Sequence, residues 1–153
     1  MSLKNLFEIK YRLLTIQETY GRNVSPNYYL GMPPEYFIDA EIDFYLDGKK
    51  FFSDNSFCIY KFVLDTSYWF RELFPSSEFI WNEDRFDGWL GTIAIKPHGD
   101  LTHFKVCFNN EEDKKDTIEV YIPTKTFGSG FTKFIDGFKA EAESFWGMSF
   151  NLP

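Results

Sequence analysis

Histidine and cysteine are scarce in this chain, with two of each among 153 residues. Two cysteines, Cys58 and Cys107, cannot staple a disulfide scaffold, and His98 and His103 leave little material for chemistry near neutral pH. Long apolar runs are missing as well. No uncharged stretch approaches the roughly 20 residues that a membrane-spanning helix needs. The opening MSLKNLFEIKYRLL carries charges where a signal peptide requires its apolar run, so a cytoplasmic, disulfide-free protein is expected. Positive charge is in deficit, at 16 Lys and Arg against 23 Asp and Glu, for a formal net charge of −7. That balance repels phosphate backbones and anionic bilayers, so neither nucleic acid nor membrane is the expected partner, and a basic protein is. Internal repeats, low-complexity tracts and linkers are also absent, and residues 1–153 read as a single domain.

Aromatic rings are abundant. They make up 21% of the chain, with 19 Phe, 9 Tyr and 4 Trp. A domain of this size buries about 68–70% of the surface its unfolded form exposes, and these rings supply most of the buried area.

The most regular stretch runs from Phe37 to Phe52. Ile38, Ala40, Ile42, Phe44 and Leu46 alternate with Asp39, Glu41, Asp43 and Tyr45, a period of two that places an apolar and an acidic stripe on opposite strand faces. Asp47-Gly48 is the dipeptide favoured in a two-residue type I′ turn, which would set Phe44 opposite Phe51. Upstream, Phe7, Ile9, Tyr11 and Leu13 alternate with Glu8, Lys10 and Arg12 in a first strand over residues 6–13. Leu14 and Ile16 then reverse the phase, which predicts a bulge or a strand running on past the sheet near Leu13. If the two strands pair, Lys10 and Arg12 lie across from the acids.

Residues 17–36 lose all periodicity and contain Gly21, Pro26, Gly31, Pro33 and Pro34, so they read as a long loop. Its Tyr20, Tyr28, Tyr29, Met32 and Tyr36 suit either a lid over one end of the core or a surface that grips another protein. Past the hairpin, Ser53-Asp54-Asn55-Ser56 offers N-caps, and 57–74 reads as a helix with Lys61 and Asp65 as an i,i+4 pair, or else in part as a buried strand at 58–64. Pro75 closes it. A short strand at 79–81 and three more at 89–96, 101–108 and 117–122 form an antiparallel meander. Phe104, Val106 and Phe108 face inward, as do Ile118, Val120 and Ile122. A final helix carries Phe127, Phe131, Phe134, Ile135, Phe138, Ala142 and Phe145 at steps of three and four. Gly128 and Gly130 place the start of its regular part near Ser129. The predicted fold is α+β, a mostly antiparallel sheet of about five to six strands with two helices packed on one face.

Signals for chemistry are weak. His103 and Cys107 are separated by about 13 Å on a straight strand, too far for one metal ion. Gly128-Ser129-Gly130 lacks the spacing of a phosphate-binding loop and of a nucleophile elbow. No catalytic residue, metal site or cofactor is expected. Asp39, Glu41 and Asp43 remain, two carboxylates of such a pair being about 7 Å apart on a solvated face that does not raise their pKa values. The leading expectation is a non-enzymatic protein-binding domain that uses Asp39, Glu41, Asp43, Tyr45, Tyr28, Tyr29 and Tyr36, with an immunity or antitoxin protein against a basic toxin as one concrete form. The alternatives are a carrier of a small apolar ligand, with its pocket between sheet and Phe-rich helices beneath the 17–36 loop, and an enzyme with Asp39, Glu41, Asp43, His103 and Tyr45 as first suspects.

Overall fold

In the computed structural model, which describes residues 6–21, 38–84, 90–109 and 115–146, Asp47 and Gly48 adopt φ of 52° and 81°. That left-handed pair matches a type I′ turn, and it joins β2 (Ala40–Leu46) to β3 (Lys49–Phe57). The register slips twice, between Ala40 and Ile42 and between Phe44 and Tyr45, and the second shift sets Phe44 opposite Phe52 instead of Phe51. The cause is a bulge that turns two consecutive residues toward the same side. Both rings profit: Phe51 lies 6.0 Å and Phe52 5.5 Å from Phe44.

β1 (Phe7–Leu13) pairs antiparallel with β2, Arg12 facing Glu41 and Lys10 facing Asp43. The phase reversal after Leu13 is neither a bulge nor a continuing strand. The strand stops, Leu13 and Leu14 are both buried, and Thr15 caps the short helix α1 (Ile16–Tyr20). Thr15 Oγ1 accepts from the Glu18 N–H at 3.1 Å while the Thr15 N–H donates to Glu18 Oε2 at 2.8 Å, a reciprocal capping box. The first residues of the expected loop are therefore helical.

α2 (Ile59–Glu72) follows β3 directly. Ser53 to Ser56 remain within β3, and Cys58 occupies the N-cap without a side-chain capping bond; the register shift between Ala40 and Ile42 lets Phe52 and Phe57, five residues apart, both be buried along the same strand. The buried hydroxyls of Thr66 and Ser67 donate to the carbonyls of Phe62 and Val63, so both sit in the apolar face at no loss of pairing. β4 (Phe79–Asp84), β5 (Leu90–His98), β6 (Leu101–Asn109) and β7 (Lys115–Pro123) form a meander, and α3 (Thr124–Trp146) ends the described chain.

Among the described residues the strands make two antiparallel sheets, β1-β2-β3 and β4-β5-β6-β7, with three helices. This corrects the single sheet of five to six strands with two helices. One sheet and two facing sheets place the same apolar alternation inward, and only long-range pairing separates them. The inner faces meet at Phe44 and Phe104, whose rings are 5.5 Å apart and nearly perpendicular at 86°. Phe104 also touches Phe7, Phe51 and Phe127, so one ring on β6 joins β1, β2, β3 and α3. α2 closes the core through Phe62, which packs on Trp81 of β4 and Phe131 of α3. Burying each such ring stabilises the fold by roughly 1.5–3 kcal/mol.

α3 begins at Thr124 rather than near Ser129. Gly130 lies in its second turn because a Cβ there would strike the Phe7 carbonyl oxygen. The glycine serves a close helix–strand approach rather than a flexible start.

Candidate functional site

Two surfaces meet at β1. The first is the outer face of the β1–β2 pair, which carries Glu8, Lys10, Arg12, Glu41, Asp43 and Tyr45. Arg12 holds Glu41 through two bonds, Nη2 to Oε1 at 3.0 Å and Nε to Oε2 at 3.3 Å, while its Nη1 reaches Glu18 Oε1 at 3.1 Å. Bidentate contact with planar guanidinium geometry is the strong form of this pair. Its electrostatic consequence falls on both acids. The Arg12 hydrogen bonds hold Glu41 below the usual carboxylate range, and Glu18 is lowered first by the Thr15 N–H and then by Arg12. Lys10 Nζ sits 4.8 Å above the Tyr45 ring centre, a cation–π contact.

Asp39 departs from the expected solvated stripe. It lies just before β2 and is buried, at 6% exposure, with its carbonyl accepting from the Leu14 N–H at 3.0 Å. The α1 turn that follows Leu14 was not visible in the period-two pattern. Tyr28, Tyr29 and Tyr36 lie outside the described residues. His103 belongs to the other sheet, where it stacks on Tyr121 at 4.8 Å and meets Glu119 Oε1 at 3.1 Å. It shares no surface with the acids of β2. Among the described residues no cluster of His, Cys, Asp and Glu has metal-binding geometry, and Cys58 and Cys107 form no disulfide.

The second surface is a half-open groove of about 580 Å³ between β1 and α3. It differs from the internal pocket expected between sheet and helices, because Phe127, Phe131, Phe134 and Phe138 already fill that space. Phe7, Ile9 and Tyr11 line one wall; Lys125, Ser129, Lys133, Gly137 and Glu141 line the other. Among the described residues β1 is the edge of its sheet. The bonds from the Asp47 N–H to the Leu6 carbonyl and from the Leu14 N–H to the Asp39 carbonyl show that even-numbered β1 residues point their backbone at β2. The odd-numbered residues, Phe7, Ile9, Tyr11 and Leu13, therefore direct N–H and C=O outward, away from the sheet. Gly130 of α3 covers the Phe7 carbonyl. At Gly137, two turns further on, a Cβ would meet nothing within 4 Å, so the helix leaves the edge open there.

The Tyr11 hydroxyl is buried beside this groove with no partner in hydrogen-bond geometry. Burial pushes its pKa up, and the nearby Glu141 carboxylate adds to the effect. We attribute the second contribution to the negative charge of Glu141 rather than to a formed bond, because the bond geometry is not met.

Sequence reasoning missed Lys125, Lys133 and Gly137. A signal existed in the spacing of Gly130 and Gly137, seven residues apart on one face of a helix, which marks a line of close approach or open space along it. No protein-family model, curated protein or solved structure matches this chain. Among the described residues, no helix is long and apolar enough to cross a membrane.

Proposed function

We propose that this chain is a cytoplasmic, non-enzymatic domain that binds another protein. The observation that supports this reading is the groove along a strand edge that is unpaired among the described residues and offers backbone donors and acceptors. In the narrower form the partner is basic, as for an immunity or antitoxin protein, and is bound by Glu41, Asp43 and Tyr45 of the adjoining outer face together with Asp39, Tyr28, Tyr29 and Tyr36. The net charge of −7 favours that form through long-range attraction.

The test is affinity capture from the source cell, with crosslinks mapped onto the chain. One stoichiometric partner crosslinked to β1, β2 or α3, with a slower on-rate after Glu41→Lys and Asp43→Lys, is the expected result. Failure to recover any partner, or crosslinks confined to the β4–β7 sheet, would overturn it.

A second reading is a carrier of a small apolar ligand. It is supported by the groove volume, which lies in the range of about 300–1,000 Å³ typical of ligand sites, and by its Phe7, Ile9 and Phe134 lining. Titration with a fluorescent apolar probe decides: saturable binding quenched by Gly137→Leu favours it, and no saturation ends it.

A further inference from the structure

We propose that the partner inserts an extended segment into the β1–α3 groove as an added strand, pairing with the outward backbone of Ile9 and Tyr11 and presenting acidic side chains to Lys125 and Lys133. This deepens the broader protein-binding reading, not its basic-partner form, and rests on it.

Three independent observations converge. The N–H and C=O of Ile9 and Tyr11 face away from β2 and have no hydrogen-bond partner among the described residues, which is the template that strand addition uses. The helix backbone meets the strand at Gly130 and leaves free space at Gly137, so the groove is narrow at Phe7 and wide beside Tyr11. Its helix wall carries two lysines with no ion-pair partner among the described residues, in a chain whose net charge is −7.

The lysine spacing specifies the segment. Lys125 and Lys133 are eight residues apart on α3, about 12 Å along the axis. In an extended strand, residues i and i+4 share a face and lie about 13 Å apart. An acidic pair at that spacing, separated by β-formers, matches the wall. Glu141 stands near the wide end and disfavours a third acid there.

The probe is a capped heptapeptide of Thr and Val with Asp at its second and sixth positions, titrated into the full chain and followed by amide NMR and hydrogen exchange. The expected result is saturable binding that slows exchange at the Ile9 and Tyr11 amides while leaving Lys10 and Arg12, already bonded to β2, little changed. Methylation of alternate peptide nitrogens abolishes the binding, and Lys125→Glu with Lys133→Glu weakens it about tenfold or more. Gly137→Leu, whose side chain enters open space and leaves the fold intact by circular dichroism, blocks it. Absence of saturable binding, or binding that survives Gly137→Leu, overturns the proposal. Binding at the groove that is indifferent to N-methylation overturns strand addition alone and leaves the protein-binding reading standing, because side chains would then carry the contact. A partner captured from the cell whose crosslinks avoid the groove does the same.

Discussion

The carbonyl oxygen of Phe7 occupies the place where a Cβ on Gly130 would lie. This contact seats α3 against the edge of β1, and it yields two opposite outcomes for the two glycines of one helix face. Gly130→Ala drives a methyl into backbone, which cannot rotate away, and is expected to cost about 1–3 kcal/mol, as overpacking does. Gly137→Ala meets no neighbour, and by helix propensity it should stabilise the protein by about 1 kcal/mol. Urea unfolding of both variants checks the pair. A destabilised Gly137→Ala, or an innocuous Gly130→Ala, would contradict the geometry.

Phe104 carries the junction between the sheets. It is fully buried and touches rings on β1, β2, β3 and α3. Phe104→Ala should cost about 3–5 kcal/mol, near the upper range for truncating a core ring. Phe145→Ala, at an exposed ring of the same residue type, is the control and should cost far less. Thermal and denaturant midpoints distinguish the two.

Acid should weaken the β1–β2–α1 corner. Glu18 and Glu41 have folded pKa values below their ordinary ones, so the folded state binds fewer protons than the unfolded state as pH drops. Their contribution is fully present above the unfolded carboxylate value of about 4.3 and is lost as pH falls through the lower folded values. The stability gap between wild type and Arg12→Met should therefore be constant above about pH 5 and narrow in stronger acid. Added salt should also shrink it at neutral pH, since all three side chains are substantially exposed. A gap that persists at low pH would show that Arg12 acts through packing of its stem.

Base should act through Tyr11. Its folded pKa lies above the ordinary 10, mainly through burial, so the folded state retains a proton that the unfolded state releases. Stability should fall as pH rises past about 10, and Tyr11→Phe should make that fall shallower. Because the hydroxyl has no hydrogen-bond partner, its removal should cost little or nothing at neutral pH. A large neutral-pH loss in Tyr11→Phe would reveal a bond to Glu141 formed in solution.

The fold's legibility followed the range of each interaction. The Asp47-Gly48 turn, the pairing of Arg12 with Glu41 and the Lys61–Asp65 contact at 3.0 Å could all be read from spacing, because each is set by local conformation or by the strand next in sequence. α1 was legible too, in Thr15 and Glu18 three residues apart, but the apolar alternation on either side of Leu13 concealed it. The displacement of Phe51 by one residue was not legible. A bulge is chosen by what both rings find in the core, and those neighbours, Phe7 and Phe104, are distant in sequence.

The groove stands at the far end of that scale. Composition and periodicity by themselves determined a Phe-rich α+β domain, strands with one apolar face and a final amphipathic helix, since alternation and the 3.6-residue repeat are properties of the chain alone. Only tertiary structure decided that the strands divide into two facing sheets, that β1 is left at an edge, and that α3 runs beside it with Gly130 closed and Gly137 open. The reason is physical: a residue pattern states which face of an element must be buried, while the partner that buries it, and the edge left unpaired, are settled by contacts among segments far apart in the chain.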